Sequence, residues 1–290
     1  MLYALYVTGF FLARIMPIRV CYFIAEMVAR AYFIFAERDK VGLKANLKWV
    51  LGENTDESTI NRHILAVFRN FAKYLADFFK FPRFTEEYIS GNIEVKGREH
   101  VDKCLSEGRG VILLSLHLGN WELGGAIVGG LDYPVSAVVL EHANKRINDF
   151  FTRQRAINDV VSIPLGLQIK ECFRALRRNE VVAIAGDKDY TSSGIYLDFF
   201  GKKALLPKGP AVFSLRTGAP IVVTVLTREK SDRFKLCFES PIRYKPVGDH
   251  DKDEQALMSK YLRIFEKYIR EYPDQWYAFR GIWNQKKTIQ

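Results

Sequence analysis

The stretch GVILLSLHLGNWELGG, residues 110–125, decides how the chain is read. Gly110 to Leu116 is an apolar run of strand length, and such runs are characteristic of strands covered on both faces. The run ends in His117, turns through Leu118 and Gly119, and offers Asn120 as the N-cap of a helix whose first turn carries Glu122. Strand, turn and helix in this order form the unit of an α/β sheet, where ligands gather at the carboxyl ends of the strands. A sharp turn lets Glu122 fold back to accept the imidazole N–H of His117. That contact would fix the tautomer and support the charge that develops when the other ring nitrogen takes a proton. Without chemistry, the same residues are a satisfied strand-end histidine and an ordinary capped helix.

The pair amounts to two members of a triad with no nucleophile of its own. There is no G-x-S-x-G elbow and no cysteine nearby, so the activated nucleophile would be an acceptor substrate's hydroxyl or amine.

Beyond this stretch, short β-rich runs alternate with helical patterns. Strands are expected at Asn92 to Lys96, Gly110 to Leu116, Val135 to Leu140, Val181 to Gly186, Ile195 to Phe200, Ile221 to Leu226 and Phe234 to Glu239. Helices are expected near 121–130, 143–158, 167–178, 209–217 and 251–272. The alternation predicts an α/β fold, with a mixed, mostly parallel central sheet flanked by helices. No internal repeat or low-complexity segment interrupts it.

The region before residue 90 has a different texture. Residues 2–13 are apolar but too short to span a bilayer, and they lack the basic n-region and small-residue cleavage site of a signal peptide. From Pro17 to Ala36 the only charges are Arg19, Glu26 and Arg30, spaced by seven and four, which puts them on one stripe of a helix that is apolar elsewhere. Such a helix can lie in a bilayer interface with its charges at the headgroups, or pack on the domain with one wet face. In residues 60–81, Ile64, Phe68, Phe71, Leu75 and Phe78 form an apolar stripe, and Arg62, Arg69, Lys73 and Lys80 form a basic one. The basic stripe is either a solvated face or a dock for anionic lipid or an acidic carrier. The expected organisation is an N-terminal membrane-associated helical segment, 1–36, followed by an α/β domain, 37–290, whose lead-in, 37–90, is helical.

A formal charge of +10 on 290 residues points to an acidic partner: a membrane surface, a protein or a nucleic acid. Nucleic acid fits least, because the basic residues are not interleaved with aromatics in any known pattern. Cys21, Cys104, Cys172 and Cys237 are far apart, which argues against a zinc site, a redox motif or a disulfide scaffold. No metal is called for.

Several blocks together carry a family resemblance. HLGNWE, followed by GDKDYTSSGIYLDFFGKKALLPKGPAVFSLRTGAPIVV, resembles the lysophospholipid acyltransferase superfamily, and within it the late lipid A (lauroyl and myristoyl) acyltransferases. DKVGLKANLKWVLG and YPDQWYAFRGIW resemble that branch's N- and C-terminal elements, so the resemblance covers essentially the whole chain. In Phe279-Arg280-Gly281-Ile282-Trp283, however, this chain has one basic residue, Arg280, where the family commonly has several.

The resemblance implies a membrane-associated O-acyltransferase at the cytoplasmic face of a bacterial inner membrane. It would use no cofactor beyond a co-substrate, the thioester of acyl carrier protein or of coenzyme A. The acceptor would be a lipid A precursor or another lipid, such as a phosphatidylinositol mannoside, an aminolipid or a lysophospholipid; a non-catalytic lipid-binding protein is the alternative from a different class. His117 becomes the general base and Glu122 its orienting partner. Arg155 and Asp187 match other functionally important charged positions, Arg155 either binding an acceptor phosphate or pairing with Asp159, and Asp187 either facing the site or capping a turn. Asn120, Gly201 in the F-F-G block and Lys208 at a helix start complete the expected substrate-binding set.

Overall fold

The strand β2 (Val111–Ser115) lies inside a seven-stranded sheet of order β1-β9-β8-β2-β5-β3-β4. The computed structural model that describes it covers residues 2–81, 84–166, 169–191 and 193–283. The other strands of this sheet are β1 (Ile93–Lys96), β3 (Val135–Val139), β4 (Val160–Pro164), β5 (Val181–Ala185), β8 (Ile221–Arg228) and β9 (Phe234–Phe238). Every neighbouring pair is parallel except β8 and β9. The expected mixed, mostly parallel sheet is therefore present. β6 (Ile195–Phe199) and β7 (Lys202–Leu206) form a separate antiparallel hairpin.

The unbroken apolar runs follow from cover on both faces. Ile112 and Leu114 of β2 pack with α9 (Lys170–Arg177), α10 (Gly209–Thr217) and α11 (His250–Glu271). Val111 and Leu113 face α6 (Arg98–Ser106), α7 (Trp121–Gly130) and α8 (Lys145–Ala156). Residues 167 and 168, where the helical pattern was expected to begin, lie outside the described residues. β4 was not anticipated: its run is short, follows a helix directly and ends in Pro164, which is tolerated because β4 is an edge strand. β7 was missed because Lys202 and Lys203 disguise its start as a turn.

The N-terminal helices are α1 (Leu2–Ile15), α2 (Ile18–Phe35), α3 (Glu37–Leu51) and α4 (Glu57–Lys80), followed by the short α5 (Glu86–Asn92). α4 lies among the first three, and this corrects the reading of both charged stripes. Arg69 and Lys73 reach Glu26 of α2 at 2.7 and 3.0 Å, and Lys73 also meets Asp232 at 3.0 Å. Lys80 donates to the carbonyls of Ala13 and Met16 at 2.9 and 2.7 Å. The expected dock on α4 is thus largely occupied within the fold, because cations on a packed helix need partners.

Glu26 correspondingly turns inward, and the outward side of α1 and α2 sets large apolar residues beside the exposed Arg14, Arg19 and Arg30: Phe11, Phe23 and Phe35 are 64, 68 and 82% exposed. No helix among the described residues is long and apolar enough to cross a membrane.

Two segments remote in sequence close the fold. Asn46 of α3, buried, donates to the carbonyls of Ala278 and Arg280 at 2.7 and 2.8 Å and accepts the amide of Ile282 at 2.9 Å. A Cβ at Gly42, one turn earlier, would lie 2.1 Å from the Phe279 carbonyl oxygen, so the approach of the two segments requires glycine there. Asn46→Ala should remove three hydrogen bonds, two of them buried, and lower the unfolding free energy by about 3 kcal/mol. Urea denaturation followed by circular dichroism will measure the loss.

Candidate active site

His117 stands just beyond the carboxyl end of β2, as expected from the strand-end reading. The turn beyond it is built for close packing. Gly119 has φ 65°, and a Cβ there would meet the Leu226 carbonyl oxygen at 1.9 Å, so no side chain fits. Asn120 caps α7 by accepting the amide of Leu123 at 3.0 Å, and its amide donates to buried Asp77 at 2.9 Å. Asp77 also accepts from Tyr22 of α2 and from Arg228 at the end of β8. Asn120 is itself buried and serves this frame; it does not line the cavity described below.

The imidazole does not bond Glu122. Its Nδ1 lies 2.6 Å from Asp187 Oδ1, and Asp187 also accepts the His117 amide at 3.1 Å and the Trp276 indole N–H at 3.0 Å. The reason is placement. β5 runs beside β2, so Asp187, two residues past the end of β5, arrives at the same edge, whereas Glu122 projects from the first turn of α7 toward α8.

There Glu122 receives Arg155 as a two-pronged pair, at 2.8 and 2.6 Å, each side chain only 12% exposed. Arg155 therefore pairs with Glu122 instead of Asp159, and bidentate geometry is the strong form of such a pair.

Electrostatics fixes the proton positions. Asp187 is fully buried, which by itself favours its neutral form, but His117, Lys188 and Trp276 outweigh that and hold the carboxyl well below its usual range. An ionised carboxylate only accepts, so Nδ1 of His117 must carry the hydrogen. Burial pulls the imidazole below its ordinary value against the opposing effect of Asp187, with Lys188 lowering it further. The ring is thus neutral at physiological pH, with the Nε2 lone pair available, and among the described residues Nε2 makes no hydrogen bond. Trp121 packs edge-on at 4.9 Å.

His117, Glu122, Arg155 and Lys208 line one cavity of about 720 Å³. On the α7–α8 side its wall is apolar, with Leu75, Phe81, Ala126, Phe151 and Val160. On the other side it passes Ile169, Phe173, Val212 and Phe213 between α9 and α10. Lys208 precedes α10 and pairs with Glu254 at 3.1 Å. Gly201 does not reach the cavity: with Phe200 it forms the two-residue tip of the β6–β7 hairpin, both at positive φ, the geometry of a primed turn. The F-F-G block thus reads as a hairpin signature, with Gly201 at a turn position outside the cavity lining.

Two residues of the site carried no separate assignment in the sequence. Lys188 lines the cavity beside Asp187 and donates to the Tyr277 carbonyl at 2.9 Å; burial lowers its pKa although Asp187 opposes this. Trp276 is the other clamp on Asp187. The signal for both lay within quoted blocks, GDKD and YPDQW, whose internal roles only the fold reveals. Around Trp276, Gln275 exchanges two side-chain hydrogen bonds with the Arg228 backbone, and the amide of Tyr277 donates to the His117 carbonyl at 2.8 Å.

A neutral histidine held by a buried aspartate at the wall of a largely apolar cavity is equipped to deprotonate a hydroxyl next to an aliphatic chain. Residues 1–285 match the family described as bacterial lipid A biosynthesis acyltransferase, and the chain belongs to that family; it is an acyltransferase. It is similar to the phosphatidylinositol mannoside acyltransferase of Mycolicibacterium smegmatis, at 25% identity over 284 residues, 96% of this chain and 90% of the relative. The enzyme of the same name from Mycobacterium tuberculosis is 26% identical over 83% of this chain and 76% of its own length. The lipid A biosynthesis lauroyltransferase of Escherichia coli is 27% identical over 63% of this chain and 59% of its own length.

The Glu122–Arg155 pair yields a test that does not depend on substrate. Arg155→Met leaves Glu122 largely buried and unpaired and should cost about 3–5 kcal/mol, whereas Glu122→Gln with Arg155→Met should recover at least half of that. A double-mutant cycle from chemical denaturation measures the difference.

Proposed function

We propose that this protein is an O-acyltransferase that moves a fatty acyl group from a thioester of acyl carrier protein, or of coenzyme A, to a hydroxyl of a glycolipid. The observation that carries the reading is the free Nε2 of His117 at the cavity wall, its ring fixed through Nδ1 by Asp187. The acceptor hydroxyl gives its proton to Nε2 as its oxygen attacks the thioester carbonyl carbon. The tetrahedral intermediate collapses, the carbon–sulfur bond breaks, and the departing thiolate takes the proton back from Nε2. Asp187 stabilises the imidazolium between these steps, the role first assigned to Glu122. Glu122 and Arg155 stand together at the cavity wall as the acceptor-side charge pair, and the apolar wall on the α7–α8 side receives the acyl chain.

A lipid A precursor is the leading acceptor, in keeping with the family. A phosphatidylinositol mannoside is the second reading, supported by the greater share of the chain that aligns with the mycobacterial enzymes. Both are glycolipids, which supports a working position at the cytoplasmic face of a bacterial inner membrane. The exposed aromatic face of α1 and α2 would rest in that membrane without spanning it.

Mass spectrometry of products from acyl carrier protein and coenzyme A thioesters, with both acceptors offered, should find one acceptor heavier by a single acyl group. His117→Ala should reduce that product about 10³-fold. Asp187→Asn, whose amide can donate to Nδ1 and reverse the tautomer, should reduce it on the order of 10²- to 10⁴-fold. Because the neutral ring is the active form and its pKa is lowered, the acid limb of kcat/KM should have its midpoint below 6.5. A midpoint well above that value would remove His117 as the base.

The membrane contact is tested separately. Phe11→Asp with Phe23→Asp should abolish cosedimentation with anionic vesicles, and retention of wild-type binding would sink the assignment of that face.

A further inference from the structure

The pairing of the α4 cations inside the fold leaves open where an acidic donor would be received, and a second basic feature answers this. Lys170, Arg174 and Arg177 lie at successive four- and three-residue spacings, so they share one face of α9, while Cys172, Ala175 and Leu176 are buried on the other. With Arg216 in the last turn of α10, they line a groove of about 520 Å³ floored by Phe173. Both helices run from the carboxyl edge of the sheet, where His117 sits, toward its amino edge. The cations of α9 therefore descend from the cavity mouth over about 10 Å of helix axis. Phe173 and Arg216 line the cavity of His117 as well, so groove and cavity adjoin.

Arg174 pairs with Glu171, an exposed contact of little net worth. Among the described residues, Lys170, Arg177 and Arg216 form no ion pair. No described residue lining the groove is acidic.

We propose that this groove is the docking surface for an acidic carrier protein that presents the acyl thioester to His117; the proposal rests on the acyl-transfer reading above. The form of the site favours a protein over the nucleotide of coenzyme A. Its cations are exposed and strung along a helix, with one aromatic side chain and no buried polar partner to hold a base or ribose. A ladder of long exposed cations suits steering and orienting an acidic protein surface, with the thioester arm entering the cavity between α9 and α10. The carrier therefore approaches on the sheet face opposite α7 and α8.

The test compares the wild type with Lys170→Glu/Arg174→Glu/Arg177→Glu and with the corresponding triple Gln variant; none of these residues lines the catalytic cavity. Steady-state kinetics would use an acyl carrier protein thioester and the matching coenzyme A thioester across a salt series. Fluorescence anisotropy of labelled holo acyl carrier protein would measure docking without turnover. The Glu variant should raise the carrier's KM and Kd about tenfold or more and flatten their salt dependence, with the Gln variant intermediate and the coenzyme A KM shifted less than about twofold.

Unchanged carrier affinity in both variants overturns the proposal. An equal rise in KM for both donors also overturns it, in favour of a phosphate-binding groove. His117→Ala separates the two levels: loss of turnover with carrier binding retained supports both, whereas undiminished turnover removes the mechanism while the anisotropy result still decides the docking surface.

Discussion

A carboxylate without access to water must be solvated by the protein, and Asp187 is that carboxylate. Its donors come from the backbone and ring of His117 and from the indole of Trp276. Each donor imposes a condition on the fold. β2 and β5 must be neighbours in register, as the Ser115–Ala185 pairing makes them. The turn after β2 must be tight, which Gly119 allows. The segment holding Trp276 must run antiparallel beside that turn, which it does through the bridge between Leu118 and Trp276. The buried anion in turn keeps the imidazole in a single tautomer, so the demand of one desolvated charge becomes the orientation of a base.

The sheet was legible because its strands obey a simple rule: cover on both faces produces unbroken apolar runs, and Val111–Ser115 and Val181–Ala185 are such runs. Edge and hairpin strands escape the rule, which is why β4 and β7 were missed. The site was half legible. His117 and Asp187 could each be assigned to a strand end from local pattern, but whether two strand ends adjoin depends on strand order, which no local pattern carries. Proximity in sequence favoured Glu122, yet the direction in which a first-turn helical residue points is set by the packing of α7 against α8. Lys188 and Trp276 were present in recognisable blocks without a visible task, since their partners lie 89 residues away in sequence.

The N-terminal helices show why charge patterning misleads when the neighbours of a helix are unknown. Spacing alone placed Glu26 on the wet side of α2 and the cations of α4 on an outer face. Both inferences assumed that charge faces water. Here Glu26 faces the cations of α4, and the exposed side of α2 mixes large apolar residues with Arg19 and Arg30.

The hydrogen bonds from Asn46 to the C-terminal segment join residues 232 and 234 positions apart. Contacts of such separation form late, because the entropy of closing the loop must be offset before they contribute. The same closure seats the C-terminal segment that carries Trp276, whereas His117 and Asp187, brought together by β2 and β5, lie only 70 positions apart. The pairing of His117 with Asp187 can therefore precede the seating of Trp276. A partly folded molecule would then hold the two side chains together without the indole that fixes the carboxylate behind them.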